Sequence, residues 1–131
     1  MKMEISFPGG VAVNASYGGF LIKTDQPQED GGTNQAPSPF SLFLASIGTC
    51  TGFYVASFCQ KHNIPTDNIK LIADFQRNPS THMVETITID IQVPKDFPDQ
   101  YKNAVIKAAD VCTVKRHLEH PPMISLLVTK H

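Results

Sequence analysis

The feature that most constrains how this chain can fold is an uncharged stretch of 21 residues from Pro39 to Cys59. Ser38 precedes it with a hydroxyl that can cap a helix, and proline is favoured at the first helical position. We therefore predict a helix from about Pro39 to about His62, buried on most sides. The length also suits a membrane span, but Gly48, Gly52 and five serines and threonines dilute the hydrophobicity. A core helix is the favoured interpretation, and no membrane partner is expected.

Short antiparallel strands are predicted before and after this helix, because apolar residues recur there at every second position. Before the helix, a Gly18-Gly19 pair separates two such runs, which is typical of a hairpin with a primed turn. Between residues 24 and 39, three prolines and a Gly31-Gly32 pair indicate a long loop. The apolar positions after the helix fall into two runs: Leu71, Ala73 and Phe75, then Ile87, Ile89, Ile91 and Val93.

The remainder of the chain is predicted to be helical and then extended. A second helix that carries Cys112 is predicted from five residues at helical spacing: Tyr101, Ala104, Val105, Ala108 and Cys112. A short further turn or helix is expected through Leu118, and a last strand from Met123 to Val128. Together these elements predict a single α+β domain over residues 1–131.

Composition narrows the classes of function. Of the 131 residues, 41% are hydrophobic and 18% are charged, which is ordinary for a folded domain. The net charge is −1 and the chain has no run of lysines or arginines, so nucleic acid is not an expected partner. The start of the sequence lacks the apolar run of a secretory signal, and three cysteines cannot all pair within one chain. We therefore expect free thiols in a reducing cytoplasm.

Two of the three cysteines are candidates for chemistry. Cys50 is expected to be shielded from bulk water because it lies on an apolar stripe of the predicted helix, with Phe43, Ile47 and Tyr54. Positive charge near Cys112 favours the thiolate, which is the nucleophilic form, and three basic residues follow it: Lys115, Arg116 and His117. The alternative interpretation is that all three cysteines are small buried hydrophobic residues. For Cys59, in line with Gly52 and Val55, this core interpretation is favoured.

Metal and phosphate sites are poor matches to the sequence. His117 and His120 are three residues apart, but no cysteine or carboxylate pattern accompanies them, so a zinc site is not expected. Gly31-Gly32-Thr33-Asn34 leads into no GK[ST] sequence, so it is interpreted as part of a loop. No cofactor is expected.

The residues around both thiols resemble those of the OsmC/Ohr family. The first block is Pro39-Phe40-Ser41-Leu42-Phe43-Leu44-Ala45-Ser46-Ile47-Gly48-Thr49-Cys50, and the second is Cys112-Thr113-Val114-Lys115-Arg116. The resemblance follows the element order of nearly the whole chain. The two blocks together indicate this family far more specifically than either thiol alone. It implies an OsmC/Ohr-like fold, in which antiparallel sheets wrap around two long central helices in an intertwined homodimer.

The resemblance also implies a thiol redox function. In the best-known members, a thiolate at the Cys50 position attacks an organic hydroperoxide and becomes a sulfenic acid, and the Cys112 position resolves it as a disulfide. Small dithiols or lipoyl proteins then reduce that disulfide. We expect the substrate or ligand to be surrounded by Phe40, Phe43, Tyr54 and Arg116.

The chain departs from the peroxidase members at two positions. Those members carry a glutamate ten residues before the first cysteine, where this chain has Phe40, and an arginine in an early loop, whereas the first arginine here is Arg77. Arg77, Arg116 or a lysine of the partner subunit is a candidate for the missing charge. Two alternatives remain open: a module that binds a small hydrophobic or thiol-reactive ligand at the dimer interface, and an enzyme that uses Cys50 against another electrophile.

Overall fold

The computed structural model describes all 131 residues, which divide into two compact units, Met1–Ala45 and Ser46–His131. In chain order the elements are β1 (Glu4–Gly9), β2 (Ala12–Tyr17), β3 (Phe20–Thr24), α1 (Pro39–Lys61), β4 (Lys70–Arg77), β5 (Val84–Gln92), α2 (Lys102–Asp110) and α3 (Thr113–Glu119). Helix α1 contributes residues to both units. The α+β class is confirmed, and the single domain stays a prediction.

The first unit contains a three-stranded antiparallel sheet in the order β1-β2-β3. Tyr17 pairs with Phe20 across the turn between β2 and β3. The two turn residues have positive φ angles, 54° at Gly18 and 83° at Gly19. A type I′ turn, one of the two primed types, needs positive φ at both central positions, and glycine adopts it without a clash from a Cβ. The predicted hairpin is confirmed.

Helix α1 begins and ends where local signals in the sequence place its termini. The Ser38 hydroxyl accepts a hydrogen bond from the Ser41 N–H at 3.2 Å, which is an N-cap contact. At the other end, Asn63 has a φ of 55°, and the Ile64 N–H donates to the Cys59 carbonyl at 2.8 Å. A left-handed residue followed by a hydrogen bond that reaches five residues back is a Schellman motif, which satisfies the last free carbonyls of a helix.

The burial of α1 differs from the prediction. Only one line of residues, four apart, is buried: Ile47, Thr51, Val55 and Cys59. Elsewhere the helix is open, and Phe53 is 63% exposed. The prediction of burial on most sides is therefore wrong for the single chain, because one sheet and one helix can cover only one face. By length and composition α1 is able to cross a membrane, a property that it shares with core helices of soluble proteins.

The core of the second unit lies between α1, the β4–β5 hairpin and α2. The two predicted strand runs pair in register, with Leu71 opposite Ile91 and Phe75 opposite Ile87, so their apolar side chains share one face. That face packs against a cluster of buried residues, which consists of Val55, Cys59, Phe97, Val105 and Ala109. The predicted antiparallel strands are confirmed.

Two predictions for the end of the chain are wrong. Helix α2 ends at Asp110, and Cys112 lies beyond it in an extended conformation (φ −60°, ψ 129°) immediately before α3. Cys112 is therefore not on the second helix, although its spacing fits a continuous one. The expected strand from Met123 to Val128 does not form, since a strand needs a neighbour to bond its backbone and the single chain pairs none with this segment.

Candidate functional site

The structure brings together Cys50 and Cys112, the two thiols that the sequence singled out. Cys50 lies in the middle of α1 and is half-buried, whereas Cys112 lies between α2 and α3 and is 1% exposed. The side chains of Cys50 and Cys112 interact, and this interaction lowers the pKa of the Cys112 thiol. All three cysteines of the chain are free thiols. The catalytic roles of the pair stay predictions, but their proximity is a property of the fold.

Several polar groups surround the Cys112 sulfur and affect its pKa. Its side chain makes no capping hydrogen bond to α3, but the backbone N–H groups of Lys115 and Val114 lie near enough to lower its pKa. Burial by itself raises the pKa of the Cys112 thiol, but these contacts, with those from Cys50 and Thr51, outweigh it and lower the pKa.

Lys115 supplies positive charge next to this thiol. Its ammonium group interacts electrostatically with Cys112, and its Nζ also forms an ion pair with Asp110 at the end of α2. The hydrogen bond to Asp110 is the main reason that the pKa of Lys115 is raised. Because both partners of this ion pair are well exposed, it contributes little to stability, about 0–1 kcal/mol. The ammonium group therefore matters here as a charge beside Cys112.

A hydrogen bond joins the two elements that carry the thiols. The Tyr54 hydroxyl, one helical turn after Cys50, lies 2.8 Å from the Thr113 hydroxyl, which directly follows Cys112. Tyr54 is one of the residues expected at the binding site, and it is placed beside the thiol pair through this contact. The bond limits how far α1 and the start of α3 can separate.

Cys59 differs from the other two thiols. It is fully buried in the core cluster, and burial raises the pKa of its thiol. A buried neutral thiol is a poor nucleophile and behaves as a small hydrophobic side chain. The interpretation of Cys59 as a core residue is confirmed.

The remaining residues expected at the site lie at more open positions. Phe40 and Phe43 are 43% and 39% exposed, and their rings stack with centroids 5.6 Å apart. Arg116 is exposed on α3, and its backbone N–H donates to the Cys112 carbonyl at 3.0 Å. The roles of these three residues in binding a substrate or ligand stay predictions.

The second unit also contains an apolar cavity of about 650 Å³. Ile47 and Thr51 of α1 form one side of it, and Lys115 and Asp110 lie at its wall. Thr51, which contacts Cys112, therefore joins this cavity to the thiol pair. Further apolar lining comes from β5, the following loop and α2: Ile87, Ile89, Ile91, Phe97, Val105 and Ile106.

Sequence reasoning missed the contributions of Thr51 and Thr113. Thr51 is 9% exposed, its hydroxyl donates to the Ile47 carbonyl at 2.8 Å, and it also lowers the pKa of the neighbouring Cys112. Its position four residues after Ile47 was the available signal, because that spacing places it on the buried line of α1. No comparable signal existed for Thr113, whose partner lies 59 residues away. No group of three or more histidine, cysteine or acidic side chains gathers as a metal site.

In the first unit, a buried carboxylate organises the predicted long loop. Asp25 is 3% exposed, and its Oδ2 accepts hydrogen bonds from the Thr33 hydroxyl at 2.9 Å and the Gln35 N–H at 3.1 Å. Hydrogen bonds from the backbone of Gln35 and Gln26 and from Thr33 lower the pKa of Asp25. Nearby, a Cβ at Gly32 would collide with the Gln26 backbone, so the loop requires glycine there.

Comparison with known proteins gives one family and several related folds. The family model for OsmC-like proteins matches residues 32–126. No curated protein matches the sequence significantly. A Psychrobacter arcticus 273-4 protein assigned to osmotic stress induction and detoxification response superposes with a TM-score of 0.74 at 18% identity, covering 88% of this chain and 86% of that one. A hypothetical protein of Aquifex aeolicus VF5 gives 0.63 at 19% identity, covering 92% and 87%. The organic hydroperoxide resistance protein OsmC of Legionella pneumophila gives 0.55 at 16% identity, covering 90% and 89%.

Proposed function

Since this chain belongs to the OsmC-like family, we propose that it is a thiol-dependent reductase of organic hydroperoxides, with Cys50 as the peroxidatic thiol and Cys112 as the resolving thiol. The observation that carries this proposal is the contact between the two thiols. The Legionella structure supports it, because that protein is named for organic hydroperoxide resistance.

The proposed reaction uses both thiols in turn. The Cys50 thiolate attacks the terminal oxygen of the hydroperoxide, so that an S–O bond forms while the O–O bond breaks, and the leaving alkoxide takes a proton from water and departs as the alcohol. Cys112 then attacks the resulting sulfenic acid, forming a disulfide and releasing water. A small dithiol or a lipoyl-type protein returns the pair to the reduced state. The nearby second thiol protects Cys50 from further oxidation.

Lys115 is the cation that we assign to this site. The family's usual glutamate is replaced by Phe40, and no arginine precedes Arg77. Lys115, one residue before the candidate Arg116, has the electrostatic contact with Cys112. A nearby positive charge favours the thiolate at neutral pH.

We also propose that the chain works as a homodimer in a reducing cytoplasm. The single chain exposes 10533 Å², whereas a self-contained protein of 14.4 kDa exposes about 6,800 Å². Much of the uncovered surface is apolar: Leu126 is 96% exposed and Val128 is 95% exposed in the segment that was expected to be a strand. A second copy that covers this surface and pairs this segment accounts for both features. Sedimentation should then give twice the mass of the chain.

The activity is tested by oxidising the reduced protein with one equivalent of cumene hydroperoxide and mapping its cysteines by mass spectrometry. We expect hydroperoxide consumption and a disulfide between Cys50 and Cys112. The matched control is Cys59→Ala, which should behave like the wild type because Cys59 is a core thiol. If no hydroperoxide is consumed and Cys50 stays unmodified under excess oxidant, the proposal is wrong.

The apolar cavity favours one second candidate, a module that binds a small hydrophobic ligand. Its volume of about 650 Å³ falls within the range of ligand pockets. Under this alternative, an apolar fluorescent probe should bind equally well to the wild type and to the Cys50→Ser, Cys112→Ser double variant. Ile89→Trp, which fills the cavity, should abolish that binding. Loss of binding in the double variant would favour the thiol chemistry instead.

A further inference from the structure

The apolar cavity of the second unit is a slot between one face of a helix and one face of a strand. Its long walls are formed by Val105, Ile106 and Ala109 on α2, and by Ile87, Ile89 and Ile91 on β5. The β5 residues alternate, as the residues on one face of a strand do. Lys102 also lies in the wall, and from there to Ala109 the helix rises about 10 Å. A slot of this shape suits an extended chain.

The wall of the slot accepts an aliphatic chain and little else. Thr51 is its only uncharged polar residue, and the Thr51 hydroxyl already donates to the Ile47 carbonyl at 2.8 Å. A polar group in the middle of a ligand would therefore be buried without a hydrogen-bond partner, which is unfavourable. The volume of about 650 Å³ holds about twenty groups of the size of water, at roughly 30 Å³ each. This is enough room for a single long chain.

Four charged residues lie in the wall, and three of them leave no net charge there. Lys115 and Asp110 form an ion pair with each other, so their charges cancel. The Asp90 carboxylate accepts a hydrogen bond from the Gln92 side chain at 2.9 Å. Residues two apart on a strand share a face, so Asp90 and Gln92 lie on the face of β5 opposite to that of Ile89 and Ile91.

Lys102, the fourth charged residue, is not balanced within the wall. Its ion-pair partner is Asp99, 3.0 Å from Nζ, and that side chain is 90% exposed and lies outside the slot. An ammonium group has three donors, so Lys102 can keep Asp99 and bind a further oxygen. Lys102 is the first residue of α2, and Asp110 is the last. One end of the slot is therefore positive, and the other end is neutral.

We propose that this slot binds a single-chain aliphatic anion, with the chain between α2 and β5 and the head group beside Lys102. The inference deepens the second candidate function, ligand binding in the apolar cavity, because it names the chemical class of the ligand. It requires no reaction at Cys50 or Cys112. Two partly exposed wall residues, Ile106 at 58% and Leu118 at 49%, form the mouth through which the chain enters.

The first test compares three probes by isothermal titration calorimetry, below their micelle concentrations. Decanoate, decanol and decylammonium have the same chain and differ in the charge of the head group. We expect decanoate to bind about two- to fivefold more tightly than decanol, as an exposed ion pair allows, and decylammonium to bind most weakly. The preference for decanoate should shrink at high salt. From octanoate to decanoate, affinity should rise about fourfold for each added methylene.

Decyl phosphate identifies the kind of anion. Tighter binding of decanoate would assign a carboxylate head group, and tighter binding of decyl phosphate would assign a phosphate ester. Either order supports the proposal if both anions bind more tightly than decanol.

The second test uses variants with matched controls. Lys102→Gln should remove the preference for decanoate over decanol and leave the affinity for decanol unchanged. Lys107→Gln is its control, because Lys107 lies on α2 but outside the wall. Ile106→Trp should block the mouth and abolish binding of all the probes. Ile72→Trp is the corresponding control, because Ile72 is 46% exposed on β4 and lies outside the wall.

Three outcomes would overturn the proposal. Equal affinities of the wild type for decanoate and decanol would exclude an anion, although the hydrophobic-ligand function would stand. A preference for decanoate that persists in Lys102→Gln would exclude the assigned head-group site. If no probe binds and Ile106→Trp sediments as a single chain, a second copy fills the slot instead. The wild-type probe series stays decisive even if Ile106→Trp fails to fold, and disulfide mapping judges the reductase function separately.

Discussion

Replacing Tyr54 by phenylalanine removes the hydroxyl bridge between the elements that carry the thiols. The lost bond is the 2.8 Å contact between the hydroxyls of Tyr54 and Thr113. A neutral hydrogen bond of this kind contributes about 0.5–1.5 kcal/mol. Since about 1.4 kcal/mol corresponds to a factor of ten, the effective concentration of Cys50 toward Cys112 should fall by about two- to tenfold. Overall stability should change by no more than the same energy.

The effective concentration is measured by equilibrating the protein in glutathione buffers of known ratio and quantifying the disulfide by mass spectrometry after alkylation. Tyr17→Phe is the matched control, because it removes a hydroxyl contact of similar size, 3.1 Å to the Met1 sulfur, in the first unit. That variant should match the wild type. Thr113→Val should reproduce the loss, and the double variant should lose no more, as a double-mutant cycle requires. Equal disulfide stability in Tyr54→Phe and the wild type would refute the reasoning.

Three further predictions concern the core and the loop of the first unit. Phe97→Ala should lower the free energy of unfolding in urea by about 3–5 kcal/mol, because Phe97 is 4% exposed, whereas Met83→Ala, at 66% exposure, should change it little. Cys59→Ser should lower the free energy of unfolding by about 1–3 kcal/mol, because it buries a hydroxyl without a hydrogen-bond partner. Cys59→Ala should lower it less, and the opposite order would contradict a simple core role. The pKa of Asp25 is lower in the folded state than its unfolded value near 3.8. The ionised carboxylate therefore stabilises the fold at any pH above 3.8, and this stabilisation is lost as the pH falls through the folded pKa. The melting temperatures of wild type and Asp25→Asn should therefore differ at neutral pH and converge in acid, and a gap that persists in acid would exclude this linkage.

Local features of the sequence determined most of the secondary structure. The hydroxyl of Ser38 and the uncharged run after it predicted where α1 begins, and the alternation through Ile87, Ile89 and Ile91 predicted a half-buried strand. The Gly18-Gly19 pair predicted a primed turn. These signals are reliable because the interactions behind them span only a few residues. The two cysteine blocks also indicated the family, which the match over residues 32–126 then established.

Only the tertiary structure decided how the thiols are arranged. Helical spacing placed Cys112 on α2, but that helix ends at Asp110, and the pKa of Cys112 is lowered by groups of α1 and of the start of α3. Tyr54 and Thr113 are 59 residues apart, and no pattern in the sequence links them. The extent of burial of α1 depends on which other elements cover it, and the strand expected after Met123 depends on whether another strand bonds its backbone. Such contacts join distant parts of the chain, so the periodicity of any one segment carries no information about them.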